Sequence, residues 1–349
     1  MPASRNRQLT VCIPVYNGER YLDECLRSVR EQTHGDFELL IVDDCSSDGT
    51  RETVQRHAAQ DERIRFSVNE RNRGLVGNWN HCVGLASGEW IKFMFQDDVL
   101  DSRCIERMMA ATASGVPLIS CARDFIFESD VSDDEMKPYH RSRDLISRLY
   151  DGAPAMSADR FCDATLAHKG VNIVGEPTVV LLHRDVFARY GLFNEHLLTY
   201  CDAEYWTRIG IHAGTVHIPD VLAWFRVHHA GTSANNVRSR AFRAATLDKL
   251  LMAHEMAFSP LYEPLRARSL QQRPPHDLVG AFWEQAHWAG WEARHIRRAS
   301  PGGSSQAVDD WNALIAIYPR LGSIPFRFQM LRKMRGLQRR AAKILPSYR

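Results

Sequence analysis

The chain has 349 residues, of which 44% are hydrophobic, 25% charged and 9% aromatic, a globular mix with length enough for an ample core. That composition excludes collagen-like, disordered and small disulfide-scaffold architectures. Lys plus Arg number 44 against 42 Asp plus Glu, a formal +2, so the whole chain lacks the charge signature of a nucleic-acid binder.

Two periodicities alternate over the first 125 residues. Leu9–Val15 is a short apolar run, and Tyr21, Leu22, Cys25, Leu26 and Val29 then recur at helical spacing. Phe37–Val42 is a second run, closed by Asp43-Asp44. Ser46 to Thr50 supply capping residues for a helix through about Ala59. Ile64–Val68 reads as a strand, Asn78–Ala86 as a helix, Trp90–Phe95 as a strand, Ile105–Ala113 as a helix and Pro117–Ala122 as a strand. Such alternation predicts α/β architecture, a mostly parallel sheet flanked by helices. Glu128–Glu135 is acidic and reads as a mobile, solvated loop. Val179–His183 and Val221–Val227 read as strands and Asp202–His212 as a helix. From about 235 the pattern is helical, with Trp283, Trp288 and Trp291 read as helix core. The expected organisation is therefore 1–234 as the α/β unit and 235–349 as a helical C-terminal extension.

The eight cysteines are scattered without any C-x-x-C pair, which disfavours a zinc cluster and predicts buried, reduced thiols in a cytoplasmic protein. No apolar stretch approaches the roughly 20 residues of a spanning helix. The N-terminus lacks a signal-peptide core.

Ligands of open α/β sheets bind beyond the carboxyl ends of the strands. Three strands here end in polar clusters: Pro14 to Asn17, Asp43-Asp44, and Gln96-Asp97-Asp98. The dinucleotide G-x-G-x-x-G and the P-loop signature are absent, which disfavours nicotinamide chemistry and P-loop phosphoryl transfer. Mg²⁺ and Mn²⁺ favour carboxylate oxygens plus substrate phosphates. Asp97 and Asp98 suit a metal that bridges to a diphosphate and acts as a Lewis acid on it. Asp44 suits hydrogen bonding to a nucleobase.

Four blocks in order carry a resemblance: VCIPVYNGERYLDECLRSVREQTHGDFELLIVDDCSSDGT, NRGLVGNWNHCVGLASGEWIKFMFQDDVL, FNEHLLTYCDAEYWTRIG and WFRVHHAGTS. Together they resemble family 2 glycosyltransferases of the GT-A fold over residues 9–233. The resemblance implies an inverting transferase that moves a sugar from a nucleotide-sugar donor, UDP-linked, to an acceptor hydroxyl with Mn²⁺ or Mg²⁺. Pro14, Tyr16, Asn17 and Glu19 match the first nucleotide-contacting loop, and Asp44 matches the base-reading carboxylate. Arg73 and Asn80 lie in a block that approaches the nucleotide. Asp98 is implied as the direct metal ligand, with Asp97 beside it as a ribose or supporting partner. Phe95 departs from the Asp that many members carry there. Asp202 matches the general base, and Cys201 stands where the family often has Glu. Arg226, His228 and Ser233 match a terminal R-x-H…S segment, which offers Arg226 to the diphosphate and His228 to metal or phosphate. Spacing does not separate His228 from His229. Glu176, before an apolar strand, is placed at the acceptor side.

After Asp310 there is no acidic residue, while nine basic residues follow between Trp311 and Arg349. Subtracting these from the totals leaves 35 basic and 42 acidic residues over 1–310, a net of −7. The stretch 326–345 mixes seven of the basic residues with apolar ones. It reads either as a peripheral membrane helix or as a helix packed on the acidic body. A membrane placement on the cytoplasmic face suits a glycan or lipid-linked acceptor. The enzyme rival, a sugar-1-phosphate nucleotidyltransferase, is discounted because its Gly-rich first loop is missing. The non-enzyme rival is a silent nucleotide-sugar-binding scaffold.

Overall fold

The computed structural model describes residues 8–231, 238–300, 305–325 and 328. Ser233 and all of the basic 326–345 stretch except Phe328 lie outside them.

Among the described residues nine strands form one sheet, in the order β3-β2-β1-β4-β8-β6-β9-β5, with β7 against β9. Strands β1 (Leu9–Val15) and β2 (Glu38–Asp43) are buried along their whole length, as near-continuous apolar runs require in the middle of a sheet covered on both faces. Strands β3 (Ile64–Val68) and β4 (Trp90–Phe93) flank them, both parallel to their neighbours. Helices α1 (Glu19–Arg30), α2 (Thr50–Ala58) and α3 (Leu75–Leu85) supply the crossovers. Helix α1 buries Leu22, Cys25, Leu26 and Val29, the stripe that periodicity predicts.

Beyond β4 the sheet becomes mixed rather than mostly parallel. Strand β8 (Val180–His183) inserts antiparallel between β4 and β6 (Leu118–Phe127). Strand β6 then pairs parallel with β9 (Thr215–Val227) across two irregularities at Cys121–Arg123. Both strands outrun the sequence expectation, because their outer halves carry polar and aromatic residues that break the apolar run. Short strands β5 (Val99–Leu100) and β7 (Ala155–Met156) close against β9.

Two further boundaries differ from expectation. The strand expected through Phe95 ends at Phe93, and the chain turns so that the Asp98 N–H reaches the Phe95 carbonyl at 3.2 Å. The acidic stretch read as a mobile loop leads into a helix, α5 (Asp133–Tyr150). Ser132 and Glu135 form a capping box there, satisfying orphan donors of the first turn. Helix α4 (Cys104–Ala111) precedes β6; α6 (Ala158–Ala167), α7 (Asp185–Tyr190) and α8 (Cys201–Ala213) complete this part.

The C-terminal part is helical as expected: α9 (Asp248–Phe258), α10 (Glu263–Gln271), α11 (Leu278–Ala299) and α12 (Gln306–Ile317). It joins the body at α8 through buried polar contacts. The Tyr262 hydroxyl donates to a Glu204 carboxylate oxygen at 2.9 Å, and Glu204 also pairs with Arg208 one turn along α8. Of the three tryptophans expected in the helix core, only Trp283 is buried. Trp288 and Trp291 are 56% and 49% exposed, since α11 turns its 282, 286, 289 and 293 face inward instead. All eight cysteines are free thiols, and all but Cys45 are buried.

Candidate active site

The parallel arrangement brings the ends of β1, β2 and β4 together, and the loop before β8, the start of α8 and the end of β9 face them. A cavity of about 390 Å³ lies between. Pro14, Tyr16, Asp44, Asp97, Tyr139, Glu176, Asp202, Arg226 and His228 all line it.

Each Asp-Asp pair divides its labour. Asp43 is fully buried and spends its carboxylate on the Ser46 N–H at 3.0 Å and the Arg51 guanidinium at 2.8 Å. Asp44 lines the cavity. One of its oxygens accepts from the Arg73 N–H at 2.8 Å and the Asn69 amide at 2.7 Å. The other accepts from the Gly74 N–H at 3.0 Å. Two lone pairs on each oxygen leave one acceptor position for a ligand. Asp98 is the buried member of the second pair. Its carboxylate accepts from the Thr178 hydroxyl and from the Arg226 N–H at 2.9 Å. It is 0% exposed, and burial, reinforced by the Asp97 charge, holds its carboxyl well above the usual range. The structure therefore speaks against Asp98 as the direct metal ligand: the group is enclosed, with one oxygen held by Thr178 and the other by the Arg226 N–H of β9. Asp97, its side chain 23% exposed, turns into the cavity, with His228 Nε2 3.1 Å away.

The basic residues separate equally clearly. His228 faces Asp97 and packs edge-on against Tyr21 at 4.8 Å, and its Nδ1 is buried without a hydrogen-bond partner among the described residues. His229 points to Asp130 and Glu135 at the start of α5. Arg226 lies on the wall but is not open to a diphosphate as expected. Its guanidinium donates to the Asp97 carbonyl at 2.8 Å, pairs with Glu128 at 3.1 Å and Glu24 at 2.6 Å, and lies over the Tyr21 ring.

Three residues expected at the nucleotide are instead braces. Asn17 adopts a left-handed conformation, φ 48°, which Asn tolerates better than most residues. Its side-chain oxygen accepts from the Ser47 N–H at 2.9 Å. Glu19 accepts from the Gly49 N–H at 3.0 Å. These bonds clip the β1 loop to the β2 loop. Asn80 is buried on the far side of α3, bonded to the Phe193 backbone in both directions and to Glu195 at 3.0 Å. The Arg73 side chain is exposed, and its backbone rather than its guanidinium meets Asp44. Residues that were not anticipated take over: Asn78 of α3 lines the cavity, held by the Val42 carbonyl at 3.0 Å. Gln96 clips the Tyr16 backbone through both ends of its amide, at 2.8 and 3.1 Å.

Asp202 sits in the first turn of α8, after Tyr200 as the cap residue. Its carboxylate accepts from the Ala203 N–H at 2.7 Å and the Asn172 amide at 3.0 Å. Burial pushes its carboxyl up to about 7, with the Glu176 charge adding to the rise and the Ala203 and Asn172 hydrogen bonds opposing it. Asn172 and Tyr139 were not anticipated. The capping pattern Ser132-x-x-Glu135 was the available signal for the helix that carries Tyr139, whereas nothing local marks Asn172.

Residues 10–172 match the model of glycosyl transferase family 2. An uncharacterized protein of Mycobacterium tuberculosis, MT1568, is 27% identical over 253 residues, 72% of this chain and 76% of that protein. A putative teichuronic acid biosynthesis glycosyltransferase of Bacillus subtilis, TuaG, is 35% identical over 101 residues, which is 29% of this chain and only 40% of its own length. Among solved structures, TarS 1–349 of S. aureus in complex with UDP-GlcNAc superposes with a TM-score of 0.55 at 17% identity, covering 80% of this chain and 81% of that one. The mannosyltransferase PcManGT of Pyrobaculum calidifontis in complex with GDP-Man and Mn²⁺ gives 0.55 at 19% identity, over 95% and 84%. Residues 10–172 thus match glycosyl transferase family 2, and the chain shares a GT-A-type fold with these transferase structures.

Proposed function

We propose that this protein transfers a sugar from a nucleotide-sugar donor, UDP-linked, to an acceptor hydroxyl on a glycan or lipid-linked glycan, with inversion. The observation that carries the reading is one cavity lined both by Asp44, which keeps an open acceptor position, and by Asp202, whose carboxyl is pushed up to about 7 by burial. Asp44 keeps one acceptor position for a base N–H, and the clipped loop of Pro14 and Tyr16 walls the nucleotide. Asp202, hydrogen-bonded at the start of α8, takes the acceptor proton. Its pKa lies near working pH, where a general base is most effective. A single displacement of this kind inverts the anomeric centre.

Asp97 and His228 are the residues that would hold the divalent cation. Two protein ligands fit Mg²⁺ or Mn²⁺, which keep waters and substrate phosphates as their remaining partners. The orphaned Nδ1 of His228 and its contact with Asp97 fit that use, although the described residues contain no group of three candidate ligands. When bound, such an ion supplies charge stabilisation to the departing diphosphate. Asp98 and Arg226 hold this wall in place from behind. The UDP-GlcNAc complex of TarS and the GDP-Man complex of PcManGT make uridine and guanosine the nucleotides to compare. In this reading 1–234 is the transferase unit and 235–349 a helical extension that braces it, with 326–345 as its membrane contact.

Calorimetric titration with UDP, GDP and CDP, with and without Mn²⁺, tests the donor site. Metal-dependent UDP binding, weakened at least tenfold by Asp97→Ala and by Asp44→Ala, is expected. Tight GDP binding moves the donor to a GDP-sugar. No binding by folded protein overturns the reading in favour of a silent scaffold.

A further inference from the structure

The segment between α6 and β8 reaches the cavity at Glu176 and Pro177 and is tied up by a clasp of hydrogen bonds. Asn172 closes it, accepting the Val174 and Gly175 N–H groups at 3.1 and 2.9 Å. The Asn172 amide donates to the Gly175 carbonyl at 2.8 Å and to Asp202 at 3.0 Å. The Trp206 indole of α8 donates to that same carbonyl at 2.9 Å. Gly175 has φ 123°, and a Cβ there would lie 2.7 Å from Val179, so only glycine fits. Next to it Glu176 ion-pairs with Arg123, whose side chain is 2% exposed. A second guanidinium nitrogen reaches Glu176 at 3.2 Å and Ser142 of α5 at 2.9 Å. The pair is thus a charged carboxylate fixed from behind, with its face in the cavity that Asp202 lines.

We propose that this clasp is the positioning and charge-setting element for Asp202: Asn172 hydrogen-bonds its ionised carboxylate, while Glu176, pinned by Arg123, holds a fixed like charge on the wall of the same cavity. Glu176 is a positioning residue in this role, with no requirement to touch the reacting atoms. The inference rests on Asp202 being the general base only for its catalytic meaning; the coupling itself is a property of the folded chain. Its physical basis is the opposition of two effects. A hydrogen bond to the charged form lowers a carboxyl pKa, whereas a nearby like charge raises it. Other titratable groups around Asp202 are Tyr200 and Cys201 on its own helix, Tyr139 on α5, Asp97 and His228 along the wall, and Asp248 behind residues 198–200. Tyr200 and Cys201 are themselves pushed up by burial and by the Asp202 and Asp248 charges, so they stay neutral while Asp202 titrates.

The test is a carboxyl ¹³C NMR titration of protein labelled at aspartate, with the resonance assigned by its loss in Asp202→Asn. No substrate is needed. In Glu176→Gln the Asp202 midpoint is expected to fall by more than about 0.2 unit, because a like charge on the wall of the same cavity is removed. In Asn172→Ala it is expected to rise. A midpoint that stays within about 0.2 unit of wild type in Glu176→Gln, or that fails to rise in Asn172→Ala, overturns the proposal. Should Glu176→Gln not fold, the Asn172→Ala arm alone decides it. Sugar transfer retained by Asp202→Asn sinks the base assignment without touching this coupling, so the two failures are distinguishable.

Discussion

Asp202 carries two consequences that pull in opposite directions. As a general base it works only when ionised, so the transfer rate should rise with pH through about 7 and then level off. Asp202→Asn should cut turnover by at least ~100-fold, the lower range for losing a general base, with donor affinity nearly unchanged. Steady-state rates over pH 5–9, set beside a UDP titration, check both. For stability the sign reverses. The folded pKa lies above the ordinary carboxylate value, so between about 4 and 7 the folded state binds more protons than the unfolded one. Stability therefore falls as pH rises through that window, and ionised Asp202 is a net cost to the fold above it. Asp202→Asn should melt higher than wild type at pH 8, by a free energy on the order of 2 kcal/mol, and show little difference at pH 4. Thermal melts at the two pH values decide it; a variant less stable at pH 8 refutes the burial argument. The same residue-scale logic explains what the sequence showed and hid at the strand ends. Both Asp-Asp pairs were legible as chemistry-bearing, but not which member faces the cavity. Asp43 ends β2 with Asp44 just beyond it, and Asp97 and Asp98 lie in the turn after β4; in each pair one carboxylate is taken into buried bonds while the other lines the cavity. Asp98 was assigned to metal and Arg226 to diphosphate because residue type alone does not reveal that Thr178, Glu24 and Glu128 have already engaged them.

At the scale of elements, the strands and helices with a clean period were readable. Strands β1 and β3 match their expected limits, and α1 buries the predicted stripe. Elements whose period is broken by charge were not. Helix α5 begins in an acidic run and contains Pro138, both of which argue locally for a loop; packing and the capping box override them. The contact between α9 and the start of α8 was equally invisible, since its partners lie about 50 residues apart. Asp248, 0% exposed, accepts the N–H groups of Leu198, Thr199 and Tyr200 at 2.8, 2.5 and 3.3 Å, and the Thr199 hydroxyl at 3.0 Å. Leu198 and Thr199 line the cavity, so a helix of the C-terminal part sets one stretch of its wall. Asp248→Ala should leave these buried donors without an acceptor, at about 1–3 kcal/mol for the unsatisfied group, read as a lowered melting temperature. Hydrogen exchange at 198–200 should speed up while exchange in β1 and β2 stays unchanged. Global acceleration instead would show that Asp248 holds the whole fold rather than one wall.

For the whole molecule, a single sheet places Asp44 and Asp97 beyond strands of its parallel half, and Glu176, before β8, and Asp202, on α8, line the same cavity. The α/β class and the crevice follow from the alternating periods and the polar strand ends. The insertion of β8 between β4 and β6 does not, because antiparallel pairing across about 60 to 90 residues leaves no local mark. Charge is distributed at the same scale. The first 310 residues carry a net of −7, and the last 39 carry nine cations with no acid. No helix among the described residues is long and apolar enough to cross a membrane. A basic, apolar-interleaved segment gains about 1 kcal/mol per Lys or Arg near an anionic leaflet, an attraction that salt screens. Seven such residues in 326–345 should make the protein sediment with vesicles containing phosphatidylglycerol but not with pure phosphatidylcholine. The bound fraction should fall steeply between 0.05 and 0.5 M salt, a range over which the Debye length shrinks from roughly 14 to 4 Å. A chain ending at 325 should stay in the supernatant while binding UDP as before. Equal sedimentation of the shortened chain would move the contact elsewhere on the surface. No sedimentation of either would leave the cations to the −7 body, whose attraction for them is of the same kind.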